Sequence, residues 1–245
     1  MFKLILLLAS GLKLGKLLTT GGTMLISLVV YAFIYGWRYA AGFIALLFVH
    51  EMGHYLAAKQ RGLDVGAPTF IPFVGAWIEM KQLPHNAETE AYVGLGGPVL
   101  GSIGALGCYF LARDGGPELH WLLAVAYSGF FLNLFNLIPL SPLDGGRITA
   151  VLSPRVWLLG VPVLVGMFML SPSPMLILIA VLAFPQVLQA WRHLRGQVTD
   201  EASAAYYQTS LEDKLTYGFA YLGLLTFLAV MTHDVHEMLG AGARS

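Results

Sequence analysis

The chain has 245 residues, 57% hydrophobic and 11% charged, with a formal net charge of zero and a mean hydropathy of +0.69. That composition excludes an ordinary soluble domain and points to several membrane spans. The balanced charge offers neither a basic surface for nucleic acid nor an acidic one for a cationic partner.

Residues 1–15 combine a short apolar stretch with Lys3 and Lys13, and no small-residue cleavage site precedes the first long apolar run. They read as an interfacial segment, not a signal peptide. Apolar runs able to cross, or nearly cross, a core about 30 Å thick follow at 17–36, 39–58, 91–112, 119–138, 155–171, 174–191 and 215–232. The expected fold is an all-α polytopic membrane protein of six to seven transmembrane helices, the count turning on the short Pro- and Gly-rich run at 155–171. Cytoplasmic placement of the N-terminus puts Lys3, Lys13, Lys16, Lys59, Arg61, Lys81, Arg147, Arg155, Arg192, Arg195 and Lys214 on one side and leaves Arg38, Arg113 and Arg244 opposite. The positive-inside rule therefore predicts a multi-pass cell-membrane protein with its N-terminus in the cytoplasm. Cys108, the single cysteine, falls inside the third span, so no disulfide framework or cysteine-based metal site exists within one chain.

The second span ends in His50-Glu51-Met52-Gly53-His54. Residues four apart share a helix face, so both imidazoles can reach one Zn²⁺ while Glu51 stands beside it as a general base toward water. On the predicted topology this stretch lies near the cytoplasmic end of its span. Gly66–Lys81 follows, punctuated by Pro and Gly and rich in β-branched and aromatic residues around Phe73–Met80. It predicts a short β-hairpin or re-entrant segment between the second and third spans, whose edge could pair with an extended peptide. His85, Glu88 and Glu90 before the third span read as solvated loop residues. Gly97, Gly101 and Gly104 within it form a smooth face for close helix contact, expected against the zinc-bearing helix.

A catalytic zinc needs three protein ligands and an open position, so two histidines leave a ligand to be found. Candidates are Asp144, Glu79, His85, Glu88, Glu90 and the pair His233/His236, which the topology puts across the bilayer and which reads as an interfacial helix end. Asp144 stands out for its setting, Asn136-Leu-Ile-Pro139-Leu-Ser-Pro142-Leu-Asp144-Gly145-Gly146-Arg147. Two prolines three apart break the fourth helix, and two glycines permit a tight reversal. An acidic residue at membrane depth is costly unless paired or bound to a metal, but Asp-Gly-Gly also suits a turn and helix N-cap. Both readings stand on these residues alone. Asn133, one turn before Asn136, reads as packing or backbone satisfaction. Residues 196–214 form a polar linker before the last span.

The two-part combination, His50-Glu51-x-x-His54 and then Asn136-x-x-Pro139-x-x-Pro142-Leu143-Asp144-Gly145-Gly146, with Gly96-Gly97-Pro98 opening the span between, resembles the site-2 protease family of intramembrane zinc proteases. The match covers about residues 39–152, a three-helix core within a single membrane domain spanning 1–245. The resemblance implies one Zn²⁺ per chain held by His50, His54 and Asp144, with Glu51 as base and Asn136 helping to hold substrate or polarise its carbonyl; an Asn hydrogen-bonded to the carbonyls of the broken helix is an equal reading of Asn136. It also implies hydrolysis of peptide bonds in or near the bilayer, on a single-span or signal-peptide-like membrane protein. Neither a PDZ domain nor a C-terminal sensor domain is present in this sequence, so substrate recruitment would fall to the membrane part or to a regulatory membrane partner. The rival reading is a catalytically silent zinc-containing scaffold that binds other membrane proteins; the intact Glu51 weighs against it. A transporter would need inverted repeats, which the sequence lacks.

Overall fold

The computed structural model describes residues 21–71, 75–80, 84–197 and 201–242. The interfacial segment expected at 1–15, and Val74 and Lys81 of the expected hairpin region, lie outside these residues. In chain order the elements are α1 (Gly21–Tyr35), α2 (Trp37–Gln60), β1 (Val65–Ile71), β2 (Gly75–Met80), α3 (Ala87–Asp114), α4 (Trp121–Asn136), α5 (Asp144–Thr149), α6 (Gly160–Leu170), α7 (Pro174–Leu194), α8 (Glu201–Tyr206) and α9 (Leu211–Gly242). Short 3₁₀ turns at Pro117–Leu119 and Pro154–Leu159 lead into α4 and α6. Among the described residues, five stretches are long and apolar enough to cross a membrane: α2, α3, Pro117–Asn136, α7 and most of α9. Two shorter apolar helical stretches, Gly21–Tyr35 and Pro154–Leu170, fall where the sequence predicts the remaining spans.

Local chemistry explains the boundaries. Gly36 separates α1 from α2 with φ of 86°, a left-handed conformation that favours glycine. Asn86 starts α3 by accepting a hydrogen bond from the Thr89 amide at 2.8 Å, which brings the helix start four residues ahead of the predicted 91. β1 and β2 pair antiparallel, with Thr69 opposite Trp77 and Ile71 opposite Gly75, and an irregularity lies between Val65 and Pro68. The hairpin predicted between the second and third spans is therefore present. Within the predicted polar linker, Glu201–Tyr206 is helical.

Helices α2, α3, α4 and α9 share one core that holds Leu46, Ala105, Val125, Phe130, Tyr221 and Leu228, together with Leu137 and Ile148 from either side of the break after α4. A second cluster packs Ile138, Leu140 and Leu143 of the break against Leu164 of α6 and Leu176, Ile179 and Ala183 of α7. The broken segment is thus held between two apolar bodies. α2 and α3 meet at backbone contact: a Cβ on Gly53 would lie 2.1 Å from the Gly96 carbonyl oxygen, and one on Gly96 would lie 2.5 Å from the Gly53 oxygen. This is the close approach that small residues allow between membrane helices.

Candidate metal centre

His50 and His54 sit on the same face of α2, four residues apart, and both are buried. Asp144 opens α5 and reaches the same point from across the core. Its Oδ2 lies 3.2 Å from His50 Nε2 and its Oδ1 lies 3.2 Å from His54 Nε2, while the two Nε2 atoms are 3.1 Å apart. Ligand atoms of the three residues all fall within 4.8 Å of one another, and this is the group among the described residues able to hold a metal ion.

The far sides of both imidazoles decide which nitrogens carry protons. His54 Nδ1 is 2.8 Å from the Val93 carbonyl oxygen, which can only accept, so Nδ1 is the donor. His50 Nδ1 is 2.8 Å from Asn133 Oδ1, and the Asn133 Nδ2 donates to the Gly129 carbonyl at 2.7 Å, which fixes the amide orientation and makes His50 Nδ1 a donor as well. Two unprotonated Nε2 atoms therefore face each other and a carboxylate, with lone pairs converging. A cation relieves that arrangement. Zinc–nitrogen distances of about 2.0–2.1 Å in tetrahedral geometry set donor atoms about 3.3 Å apart, close to the spacings observed. The donor set therefore fits zinc.

The chain folds to make this meeting possible at the break. Both residues before the prolines are forced from helical conformation, and backbone groups in and after the break find side-chain partners, two of them on distant helices. Tyr221 of α9 donates to the Leu137 carbonyl at 2.6 Å, and the Ser141 amide donates to Gln186 of α7 at 2.5 Å. Trp157 Nε1 donates to the Gly146 carbonyl at 2.9 Å, and Thr149 Oγ1 to the Gly145 carbonyl at 2.6 Å. Gly145 and Gly146 are required for closeness and not for positive φ: a Cβ on Gly145 would lie 2.1 Å from the Leu137 oxygen, and one on Gly146 would lie 2.6 Å from Leu140 and Ser141 backbone atoms. The N-cap of α5 is Leu143, so Asp144 is its first residue and turns its carboxylate to the imidazoles; the helix-cap reading of Asp144 is not what the structure shows.

Glu51 is buried beside the histidines, in electrostatic reach of His54, His50, Asp144 and Arg147. Asn136, the last residue of α4, is half-buried and makes no side-chain hydrogen bond among the described residues. At the break it is the Tyr221 hydroxyl that donates to the Leu137 carbonyl. Asn133 does more than the sequence suggests, since it holds His50. Its signal was present as a polar residue deep in an apolar span.

Other expectations are revised. Glu88 is not a solvated loop residue: it pairs with Arg61 at 2.6 Å and accepts from the Tyr217 hydroxyl of α9. Glu90 accepts from the Tyr206 hydroxyl of α8 at 2.7 Å; burial, followed by this carboxylate, pushes that phenol above its ordinary range. His85 is exposed. His233 and His236 lie within α9, where the His236 ring packs 5.6 Å from that of Tyr127, and they do not end a helix. The glycine face of α3 divides its work. Gly97 abuts the His54 imidazole, Gly101 the Asn133 amide, and Gly104 Leu46 and Val49 of α2.

Comparison with known proteins supports the resemblance carried by the two motifs. Residues 38–116 match the family model described as Peptidase family M50. Zinc metalloprotease MJ0392 from Methanocaldococcus jannaschii is 32% identical over 121 residues, 45% of this chain and 34% of that protein. A protein of Arabidopsis thaliana named "Probable zinc metalloprotease EGY1, chloroplastic" is 26% identical over 153 residues, 44% of this chain and 28% of that one. The chain spans about a third of the length of these curated relatives. A solved structure, Site-2 Protease from Methanocaldococcus jannaschii, aligns with a TM-score of 0.41 and 20% identity, covering 76% of this chain and 87% of that chain. Residues 38–116 are thus similar to the M50 family model, the described residues include several helices apolar and long enough for a multi-pass membrane protein, and His50, His54 and Asp144 form a group that could hold a metal ion.

Proposed function

We propose that this protein is a zinc-dependent intramembrane endopeptidase that cuts peptide bonds in or near the transmembrane segment of single-span or signal-peptide-like membrane proteins. The observation that supports this most is the convergence of two Nε2 atoms and one carboxylate, drawn from helices far apart in sequence, at a spacing suited to one metal ion.

His50, His54 and Asp144 would hold one Zn²⁺, which when bound supplies Lewis acidity toward water and the scissile carbonyl. Glu51, one residue from the first ligand, accepts the proton of the attacking water and passes it to the leaving amine. Asn136, eight residues before Asp144 in sequence, aligns the substrate carbonyl from the end of α4. The β1–β2 hairpin presents a strand edge on which an unwound substrate can pair through its backbone, since a helical substrate offers no free carbonyl. The catalytic core covers 39–152 within a membrane domain of six to seven spans, residues 196–214 link it to the last span, and the N-terminus and active-site end face the cytoplasm.

The test is cleavage of a single-span reporter in detergent, measured with metal content. About one zinc per chain is expected in the parent and in Glu51→Gln, with turnover in the variant reduced by about 10²-fold or more. Undiminished turnover in Glu51→Gln sinks the assignment of the base. Zinc retained with no cleavage of any membrane reporter moves the reading to the scaffold. Ala76→Pro, within β2, is expected to slow cleavage while leaving zinc in place; unchanged turnover there removes strand pairing from the mechanism.

A further inference from the structure

We infer that Asn133 is a positioning residue of the metal centre, fixing the tautomer and ring plane of His50 so that its Nε2 faces the ion. The inference rests on the metal site proposed above and concerns what holds it in shape. Asn133 is 1% exposed, and its amide is committed at both ends. Nδ2 donates to the Gly129 carbonyl one turn back at 2.7 Å, which leaves Oδ1 turned to His50 Nδ1 at 2.8 Å. The opposite orientation would set an NH₂ against Nδ1 and move the His50 proton to Nε2. There it would occupy the space between His54 Nε2 at 3.1 Å and Asp144 Oδ2 at 3.2 Å, where the ion belongs.

Room for this amide comes from a third helix. A Cβ on Gly101 of α3 would lie 2.5 Å from Asn133 Oδ1 and 2.8 Å from Nδ2. One hydrogen bond therefore ties α2 to α4 across a gap that α3 leaves open. His54 is held differently, by the main-chain carbonyl of Val93, which no side-chain substitution deletes. The two imidazoles thus differ in vulnerability, and that of His50 rests on one replaceable residue. A neutral amide orients the ring without adding a second negative charge beside Asp144, whereas a carboxylate in its place would add one.

The experiment titrates Co²⁺ into metal-stripped, detergent-purified protein and reads apparent affinity together with the visible d–d spectrum. The variants are Asn133→Leu, Asn133→Ala and Asn133→Asp, each checked for helicity and monodispersity, with His54→Ala as the ligand-loss control. The parent is expected to bind about one Co²⁺ with tetrahedral-type bands. Asn133→Leu and Asn133→Ala should weaken binding about 10–100-fold and alter the bands, and Asn133→Asp, which keeps an acceptor toward His50 Nδ1 but loses the donor to the Gly129 carbonyl, should recover part of both. Where Asn133→Leu does not fold, the Ala and Asp pair carries the comparison. Folded Leu or Ala variants with parental affinity and spectrum, or an Asp variant as weak as they are, overturn the inference and leave the metal site standing. A parent that binds no Co²⁺ overturns the metal reading, and this inference with it.

Discussion

His50 and His54 reach the centre from one unbroken helix, whereas Asp144 reaches it from a chain that has just stopped being helical. The helical pair needs only the 3.6-residue period and two ring partners, Val93 and Asn133. Asp144, in the ligand role proposed for it, needs a supporting cast: Tyr221, Gln186 and Trp157 to satisfy the opened backbone, and Gly145 and Gly146 to let it fold back on itself. A ligand on regular structure is placed by local rules. A ligand at a break is placed by the rest of the protein.

The widest test of that contrast removes one ligand from each side. His54→Ala and Asp144→Ala are both expected to lose zinc by more than the about 100-fold that loss of a supporting hydrogen bond costs, measured by chelator competition. Full retention in Asp144→Ala would detach the break from the site. Next come the glycines. Gly145→Ala meets a backbone oxygen and should destabilise the fold by about 3 kcal/mol, read from unfolding in detergent, with metal lost as a consequence. Gly97→Ala would place a Cβ 2.2 Å from His54 Nε2, a side-chain atom that can swing aside. It should weaken metal binding while costing less stability, and equal destabilisation by the two would erase the distinction between ligand and scaffold. Smaller still, Tyr221→Phe leaves the Leu137 carbonyl without its donor and should cost about 1–2 kcal/mol of unfolding free energy. Tyr39→Phe, which breaks a 2.7 Å contact with Ser128 elsewhere in the α2–α4 interface, should cost at most about 1 kcal/mol and leave metal affinity unchanged.

The same contrast governs what could be read from sequence. Five of the expected spans and the placing of His50 and His54 on one helix face are legible because periodicity and apolar run length are local quantities, and the hairpin is legible from its Pro, Gly and β-branched content. The break before Asp144 was legible from Pro139 and Pro142, but its satisfaction was not, because Tyr221 and Gln186 lie on helices far downstream and carry no mark of their target. Asn133 was read as a packing residue since a buried amide can be satisfied in many ways, and only the fold shows that its oxygen meets an imidazole. Glu88 and Glu90 were read as solvated loop residues because their partners, Tyr217 and Tyr206, come from the distant C-terminal segment. α3 begins before the apolar run at 91–112 because Asn86 caps it ahead of that run.

The backbone contact between Gly53 and Gly96 bears on how this sequence can drift. Gly53 occupies one of the two unassigned places in His50-Glu51-x-x-His54, yet the two places are far from equal. Met52 is half-buried and free to vary among residues of similar size, while any side chain on Gly53 runs into a carbonyl oxygen that has no rotamer to change. Its counterpart Gly96 is blocked in the same way, so neither can be replaced first and rescued by the other. A mutational path through this pair is closed in both directions, and a saturation library spanning both positions should return the glycine pair alone among variants that retain the metal.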